Sequence, residues 1–324
     1  MSDFGFYSGD EFLAKTFEER DTLIDCILHK KDSVILAGKP KSGKSILLFN
    51  LICSLTSGEP FLDEFEVKKP CKVLYIQLEG SLDDSQNRFN RMIGSLAFER
   101  SNFFIMFSPP LDMNNNNTMS RLIDDIKHKM DKPDVIIIDP IYFALGSGAS
   151  LSDDSLVRGF TGQIRILQEC FDCAVILTHH FKKARRDQTG KILAPDDDDV
   201  FGSVFFQAWI THQFLFDYDK TTKARFMQCN VQRSGRIKDK IMLRLVEPDP
   251  LYYELLDVYP AKEEEIVKYL TNHADKRFEA REIYEAINMP KASFYKLSRK
   301  LINEGKINKT KGDRHCLFFI PTQG

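Results

Sequence analysis

The chain has 324 residues, which exceeds the usual size of one hydrophobic core and predicts two domains. Its 43% hydrophobic and 28% charged residues exclude a disordered chain, and no apolar run reaches the ~20 residues of a membrane helix. Seven scattered cysteines without a signal pattern predict a cytoplasmic protein. A formal charge of −2 argues against a nucleic-acid partner, unless opposite charges on two parts of the chain cancel.

The first two thirds of the chain alternate strand patterns with helix patterns. Strands are expected at 33–38, 73–78, 103–107, 135–138 and 174–178. Helices are expected from 44, after 83, at 121–130 and at 157–169, and the runs 114–117 and 196–199 are expected to be loops. Continuous apolar strands alternating with helices predict an α/β domain with a mostly parallel sheet. After Trp209 the strand-like runs have no helices between them, which predicts C-terminal antiparallel hairpins at the edge of that sheet.

The pattern changes again after Pro260. Three short helices are expected at 263–272, 280–288 and 291–303, followed by strands at 306–310 and 316–320. This order predicts a winged-helix domain that contains a helix-turn-helix. The predicted domains are therefore 1–260 and 261–324.

A phosphate-binding motif follows the first strand. The residues from Gly38 to Ser45 fit G-x-x-x-x-G-K-[ST], with a strand before them and a helix after them. Lys44 is expected on the β- and γ-phosphates, and the Ser45 hydroxyl on Mg²⁺. The nucleotide-binding set is Gly38, Lys41, Ser42, Gly43, Lys44, Ser45 and Ile46.

Acidic and imidazole groups stand at the ends of three other strands. Asp139 ends a buried strand, where an acid reaches the Mg²⁺ shell. Glu79 ends another strand, where a carboxylate can orient and deprotonate the attacking water, although a strand-end Glu taken alone is more often a solvated turn residue. His179 and His180 follow the strand at 174–178, beside the nucleotide. A zinc site built from those histidines with Cys170 and Cys173 is disfavoured, because a single C-x-x-C lacks a second ligand pair.

In their order and spacing, these motifs resemble a known family. Residues 22–245 are similar to RecA-superfamily P-loop ATPases of the RepA type, the hexameric replicative helicases of plasmids and phages; the match rests on the P-loop, LYIQLEG, DVIIIDPI and VILTHHFKK. The resemblance implies ATP and Mg²⁺ as cofactors and Glu79 as the catalytic base. It also implies that Arg88 contributes to the site, and that His180 and Lys183 link the γ-phosphate to DNA.

One position departs from that family. Phe201 stands where the family often has the arginine that reaches a neighbouring subunit's site. The arginine that acts on the neighbouring subunit's site is therefore expected to be Arg233, or Arg236 as the second choice. The alternative is that both arginines are solvated surface charges.

Two stretches are expected to contact nucleic acid. The loop 181–201 would bind single-stranded DNA in a ring channel, with Phe181 for base stacking, although four acids at 196–199 favour a solvated loop instead.

Residues 261–324 carry 13 basic and 9 acidic residues, which leaves about −6 on residues 1–260. Duplex DNA, or a protein partner as the alternative, is expected at this unit. The DNA candidates are Lys182, Lys183, Arg185, Arg186, Lys291, Lys296, Arg299, Lys300 and Lys311.

Two functions stay open on this evidence. The first is an ATP-driven, ring-forming DNA helicase or translocase for plasmid, phage or mobile-element replication, which hydrolyses ATP between subunits. The second is a nucleotide-switched DNA-binding ATPase, either a recombination mediator or a regulator, that does not unwind. A small-molecule kinase is disfavoured, since it would leave the basic C-terminal unit unused.

Overall fold

A computed structural model describes most of the chain: residues 6–16, 20–146, 153–180, 204–219, 224–232, 240–256, 260–274, 276–287, 289, 291–311 and 316–321. The helices are α1 (Gly9–Ala14), α2 (Lys44–Ser57), α3 (Leu82–Ile93), α4 (Asn116–Met130), α5 (Asp154–Phe171), α6 (Val204–Trp209), α7 (Pro260–Thr271), α8 (Ala280–Ala286) and α9 (Lys291–Asn303). Short 3-10 helices lie at Arg100–Asn102 and Ile141–Ala144.

The strands form one large sheet and two small ones. They are β1 (Thr22–Ile24), β2 (Leu28–His29), β3 (Ser33–Gly38), β4 (Val73–Gln77), β5 (Phe103–Phe107), β6 (Val135–Asp139), β7 (Ala174–His180), β8 (His212–Asp219), β9 (Ala224–Gln232), β10 (Lys240–Val246), β11 (Tyr252–Leu255), β12 (Phe278–Glu279), β13 (Asn308–Lys311) and β14 (Cys316–Phe319). The large sheet has the order β11-β10-β9-β8-β3-β7-β6-β4-β5. Strands β8, β3, β7, β6, β4 and β5 run parallel, and β9, β10 and β11 add an antiparallel extension at one edge.

Side chains of the parallel strands alternate between two hydrophobic layers. On one face, Val34 and Val73 pack with α2 and α3; on the other, Ile35 and Leu74 pack with α4 and α5. Every residue of β3 and β4 is buried, because helices cover both faces of the sheet. The predicted α/β core with a mixed sheet and antiparallel hairpins is therefore confirmed.

Local chemistry explains most differences from the sequence expectations. Only the first half of the asparagine run at 114–117 is a loop: α4 begins at Asn116, because the Asn115 side chain caps it and accepts bonds from the amides of Asn117 and Thr118. His179 and His180 are the last residues of β7, paired with β3, and do not follow the strand. The hairpin β1–β2, helix α1 and strand β12 are too short for their periodicity to be read from the sequence.

The edge of the sheet where β3 begins is held by one buried carboxylate. Asp32 has no exposed surface, and its Oδ1 accepts a bond from Arg20 at 3.0 Å. Its Oδ2 accepts the backbone amide of His29 at 2.8 Å and lies 3.5 Å from Nδ1 of the fully buried His212. The carboxylate therefore joins the β2–β3 turn to the first residue of β8.

The C-terminal unit has a hydrophobic core of its own. The buried core cluster draws only on residues from Ile266 to Phe318, which come from α7, α8, α9, the sheet β12-β14-β13 and the connections at Met289 and Ile307. Three helices and a hairpin occur in the order that the sequence predicts, with β12 added between α7 and α8. The winged-helix assignment and the boundary at 260/261 stay predictions. None of the helices in the described residues is long and apolar enough to cross a membrane.

Removing the Asp32 carboxylate is expected to destabilise the fold. Asp32→Ala removes a buried carboxylate that accepts from Arg20 and from the His29 amide and faces the buried His212 ring, so the free energy of unfolding should fall by about 3 kcal/mol. Asp25→Ala is the matched control, because Asp25 pairs with Lys68 at 2.8 Å on the surface and should contribute less than about 1 kcal/mol. Chemical denaturation measures both; equal losses for the two variants would contradict the role of Asp32.

Candidate nucleotide site

A cavity of about 400 Å³ opens where four parallel strands end. The carboxyl ends of β3, β4, β6 and β7 meet at one edge of the sheet, and α2 and α3 begin there. Parallel α/β sheets place their ligands at this edge. The cavity is lined by Lys41, Ser42, Gly43, Lys44, Ser45, Ile46, Tyr75, Gln77, Glu79, Gly80, Ser81, Asp84, Ser85, Arg88, Asp139 and His180.

The P-loop wraps the amino end of α2 in a conformation that glycine permits. Gly43 caps the helix with φ of 98°, a left-handed conformation that other residues adopt only under strain. The Ser42 side chain is buried, and its hydroxyl has no hydrogen-bond partner among the described residues. Free amides at a helix start and an unpaired buried hydroxyl are groups that a phosphate satisfies.

Lys44 is buried and holds its ammonium group inside the loop. Its Nζ donates to the carbonyls of Gly38 at 3.0 Å and Lys39 at 2.9 Å, and it lies 3.2 Å from Nδ1 of His180. Burial lowers the pKa of Lys44 to about 8, while the negative charges of Asp139 and Glu79 act against that shift. Within the described residues Lys44 forms no ion pair, so an incoming phosphate would be its first anionic contact.

Asp139 is held in one orientation by two hydroxyl groups. The Tyr75 hydroxyl donates to Oδ2 at 2.7 Å, and the Thr178 hydroxyl donates to Oδ1. Burial, and next the charge of Asp139, raise the pKa of Tyr75 well above its usual value, so the phenol remains a donor. Asp139 and Ser45 line the same cavity and offer the oxygen ligands that Mg²⁺ prefers. The residues present therefore fit a magnesium ion.

Glu79 and Lys44 are connected through one imidazole ring. Because a lysine ammonium only donates, Nδ1 of His180 must accept, which leaves the ring proton on Nε2. Nε2 lies 3.6 Å from Oε2 of Glu79, whose side chain is more than half exposed. The Gln77 side chain donates to the Glu79 carbonyl at 2.8 Å and fixes the turn that carries it.

Arg88 reaches the same cavity from α3. The helix begins at the Ser81 cap, so Ser85 and Arg88 follow one and two turns later. The guanidinium charge of Arg88 acts to lower the pKa of Tyr75, so Arg88 lies within electrostatic range of the phenol that donates to Asp139. The structure thus brings Lys44, Ser45, Glu79, Arg88, Asp139 and His180 together.

Other predicted residues lie outside the described part of the chain. These are Phe201, Lys182, Lys183, Arg185, Arg186, Arg233 and Arg236. The strand before Arg233 is described: β9 ends at Gln232, opposite His212 at the start of β8. That pair lies at the end of the sheet opposite the P-loop, so β9 runs away from the cavity.

The C-terminal candidates are described in part. Arg299 is exposed on α9, whereas Nζ of Lys300 donates to Glu263 of α7 at 2.6 Å and its charge is balanced within the unit. The positions of Lys291, Lys296 and Lys311 in α9 and β13 are described, but their side chains lie outside the described set.

Sequence reasoning missed the groups that hold the site residues in place. Tyr75 and Gln77 occupy a buried strand, and Thr178 precedes the two histidines of β7. A polar residue within an otherwise apolar strand was the available signal for Gln77 and Thr178. No local pattern marks Tyr75, since tyrosine is an ordinary strand residue.

Fold and cavity together define the class of protein: a P-loop ATPase with a RecA-like core. The model of the AAA domain family matches residues 7–186, and the chain belongs to that family. Among solved structures, the ATPase domain of G40P aligns with a TM-score of 0.51 at 13% identity, over 67% of this chain and 82% of that one. The flagellar accessory protein FlaH from Methanocaldococcus jannaschii aligns with a TM-score of 0.46 at 12% identity, over 70% and 91%. No curated protein sequence matches the chain.

Freeing Asp139 from Tyr75 is expected to weaken metal binding. In Tyr75→Phe the Asp139 carboxylate loses one of the two donors that orient it, so the Mg²⁺ concentration for half-maximal nucleotide hydrolysis should rise about tenfold. Tyr142→Phe is the control, because Tyr142 is exposed and lies outside the cavity lining. A magnesium titration of hydrolysis compares the two; an unchanged requirement in Tyr75→Phe would show that this bond does not orient the carboxylate.

Proposed function

We propose that the chain is an ATP-driven DNA helicase or translocase that assembles as a ring, hexameric by its resemblance, and serves replication of plasmid, phage or mobile-element DNA. The observation that carries the proposal is the shared cavity of Lys44, Asp139, Glu79 and His180. Lys44 supplies a cation for the phosphates, Asp139 a ligand for magnesium and Glu79 a base. His180 supplies a polar contact to Lys44 that changes when a nucleotide binds.

The residues divide the work of hydrolysis between binding and proton transfer. The P-loop amides, the Ser42 hydroxyl and Lys44 bind the phosphates. Ser45 and Asp139 would hold Mg²⁺, which neutralises charge on the phosphate oxygens. The Glu79 carboxylate accepts a proton from the attacking water, whose oxygen bonds to the γ-phosphorus as the bond to the β-phosphate oxygen breaks. ADP and phosphate are the products.

His180 connects the nucleotide to the rest of the molecule. A phosphate that binds Lys44 competes with the 3.2 Å contact between Nζ and Nδ1 of His180. Release of that ring also changes its contact with Glu79, 3.6 Å away. His180 ends β7 and directly precedes the 181–201 segment, which is proposed to bind single-stranded DNA through Lys182, Lys183, Arg185 and Arg186.

Assembly and duplex binding complete the proposal. Since β9 ends at the edge opposite the P-loop, Arg233 is proposed to serve the site of a neighbouring subunit, as the resemblance implies. The C-terminal unit is proposed to hold duplex or forked DNA through the exposed Arg299 and its basic neighbours.

A second candidate function is a nucleotide-switched DNA-binding ATPase that does not unwind. Phe201 favours it, because a phenyl ring cannot stabilise the charge on a transferring phosphoryl group. The internal pair of Lys300 and Glu263 also reduces the charge that α9 offers to a duplex.

Strand displacement tests the proposal against this alternative. Wild type with ATP should release a labelled strand, while Lys44→Ala should neither hydrolyse nor unwind. Glu79→Gln should retain nucleotide binding, lose hydrolysis about 10²–10⁴-fold and stop unwinding. Glu59→Gln is the matched control, on an exposed residue outside the cavity lining. Tight, nucleotide-dependent DNA binding without displacement would reject the helicase and support the switch.

A further inference from the structure

The antiparallel extension lies against the P-loop helix through an unusual amide pair. Nδ2 of Asn50 in α2 donates to the carbonyl of Tyr253 at 2.8 Å, and the Tyr253 amide donates to Oδ1 of Asn50 at 3.0 Å. Asn50 is buried, two turns along the helix that begins at Lys44. The Asn50 side-chain amide thus pairs with the backbone N–H and C=O of Tyr253, as a neighbouring strand would. This contact fixes β11 on α2.

The same tyrosine packs against the backbone of the phosphate loop. A Cβ built on Gly43 would lie 2.2 Å from the Tyr253 hydroxyl oxygen and 3.3 Å from Cζ. The Tyr253 ring meets the Phe216 ring edge-on, with centroids 5.5 Å apart. The carbonyl of Phe216 in turn stands 2.4 Å from the place of a Cβ on Gly38. The two ends of the loop are therefore in close contact with β8, which pairs with β3, and with β11 of the extension.

A hydroxyl in this position has no obvious structural purpose. The Tyr253 side chain is 1% exposed, and its oxygen forms no hydrogen bond with a described residue. Burial raises the pKa of Tyr253, while the Arg225 guanidinium, which is close enough to interact with the hydroxyl but lies outside hydrogen-bonding geometry, acts in the opposite direction. An unpaired buried hydroxyl costs about 1–3 kcal/mol of stability, so phenylalanine would suit the packing better.

We propose that Tyr253 is a positioning residue for nucleotide binding: its hydroxyl, held in place by Asn50, braces Gly43 and keeps the P-loop in its phosphate-binding shape. The inference rests on the proposed nucleotide site but needs neither DNA nor ring assembly. Because Gly43 has φ of 98° and no side chain, its backbone is free to leave this conformation unless packing holds it. A loop ordered before the ligand arrives binds it more tightly, since less conformational entropy is lost on binding.

The role predicts opposite changes in stability and affinity. Tyr253→Phe removes an unpaired buried hydroxyl, so a purely structural residue would leave the unfolding midpoint unchanged or raise it. A positioning residue would weaken nucleotide binding in the same variant. Tyr252 supplies the matched control, because it is the adjacent strand residue, is only half-buried and is not among the nearest neighbours of Gly38 or Gly43.

The experiment measures ATP binding by calorimetry with Mg²⁺ in the full chain, together with kcat, KM and amide exchange over 38–46. Tyr253→Phe should raise Kd and KM about five- to tenfold, leave kcat within about twofold and speed exchange in the loop, without lowering the unfolding midpoint. Tyr252→Phe should match wild type.

Two further outcomes separate the possible failures. Asn50→Ala should raise Kd as well, at a cost in stability; if it does not fold, Tyr253→Phe still decides. Wild-type Kd and exchange in Tyr253→Phe would overturn the inference and leave the proposed function standing. No ATP binding by wild type would instead reject the proposed function.

Discussion

The nucleotide site is organised around a buried ammonium group. Lys44 is enclosed between the ends of β3 and β7, where two loop carbonyls and an imidazole nitrogen replace the water it has lost. These contacts replace the lost water only in part, since burial lowers the pKa of Lys44 to about 8. A buried cation bonded only to neutral groups gains most from a multiply charged anion. The selection of a phosphate ligand follows from this constraint.

The sheet explains how the other groups reach that cation. The parallel strands place these groups at one end of the sheet: Gln77 of β4 is in register with Asp139 of β6, and His180 of β7 is in register with Gly38 of β3. Rigid strands position polar groups more accurately than loops do, and the hydroxyls of Tyr75 and Thr178 then orient the carboxylate. Tyr253 of the antiparallel extension approaches Gly43, so residues from both parts of the sheet contact the P-loop.

Chemistry encoded in short stretches was predictable from the sequence. The P-loop, Glu79 and Asp139 carry their function in residue type and strand-end position, and the structure brings them together with Arg88 and His180. The contacts that hold them were not predictable. Tyr75 and Asp139 are 64 positions apart, and Asn50 and Tyr253 are 203 apart. Contacts between residues so far apart can be predicted only when the strand order is known, and the periodicity of the sequence does not encode that order.

The most direct test is the rate of ATP hydrolysis with and without single-stranded DNA, alongside the mass of the assembly in the presence of nucleotide. We predict a ring-sized oligomer, with hydrolysis that rises at least several-fold on addition of single-stranded DNA and is absent in Lys44→Ala. A nucleotide-bound monomer whose hydrolysis is indifferent to DNA would contradict the account.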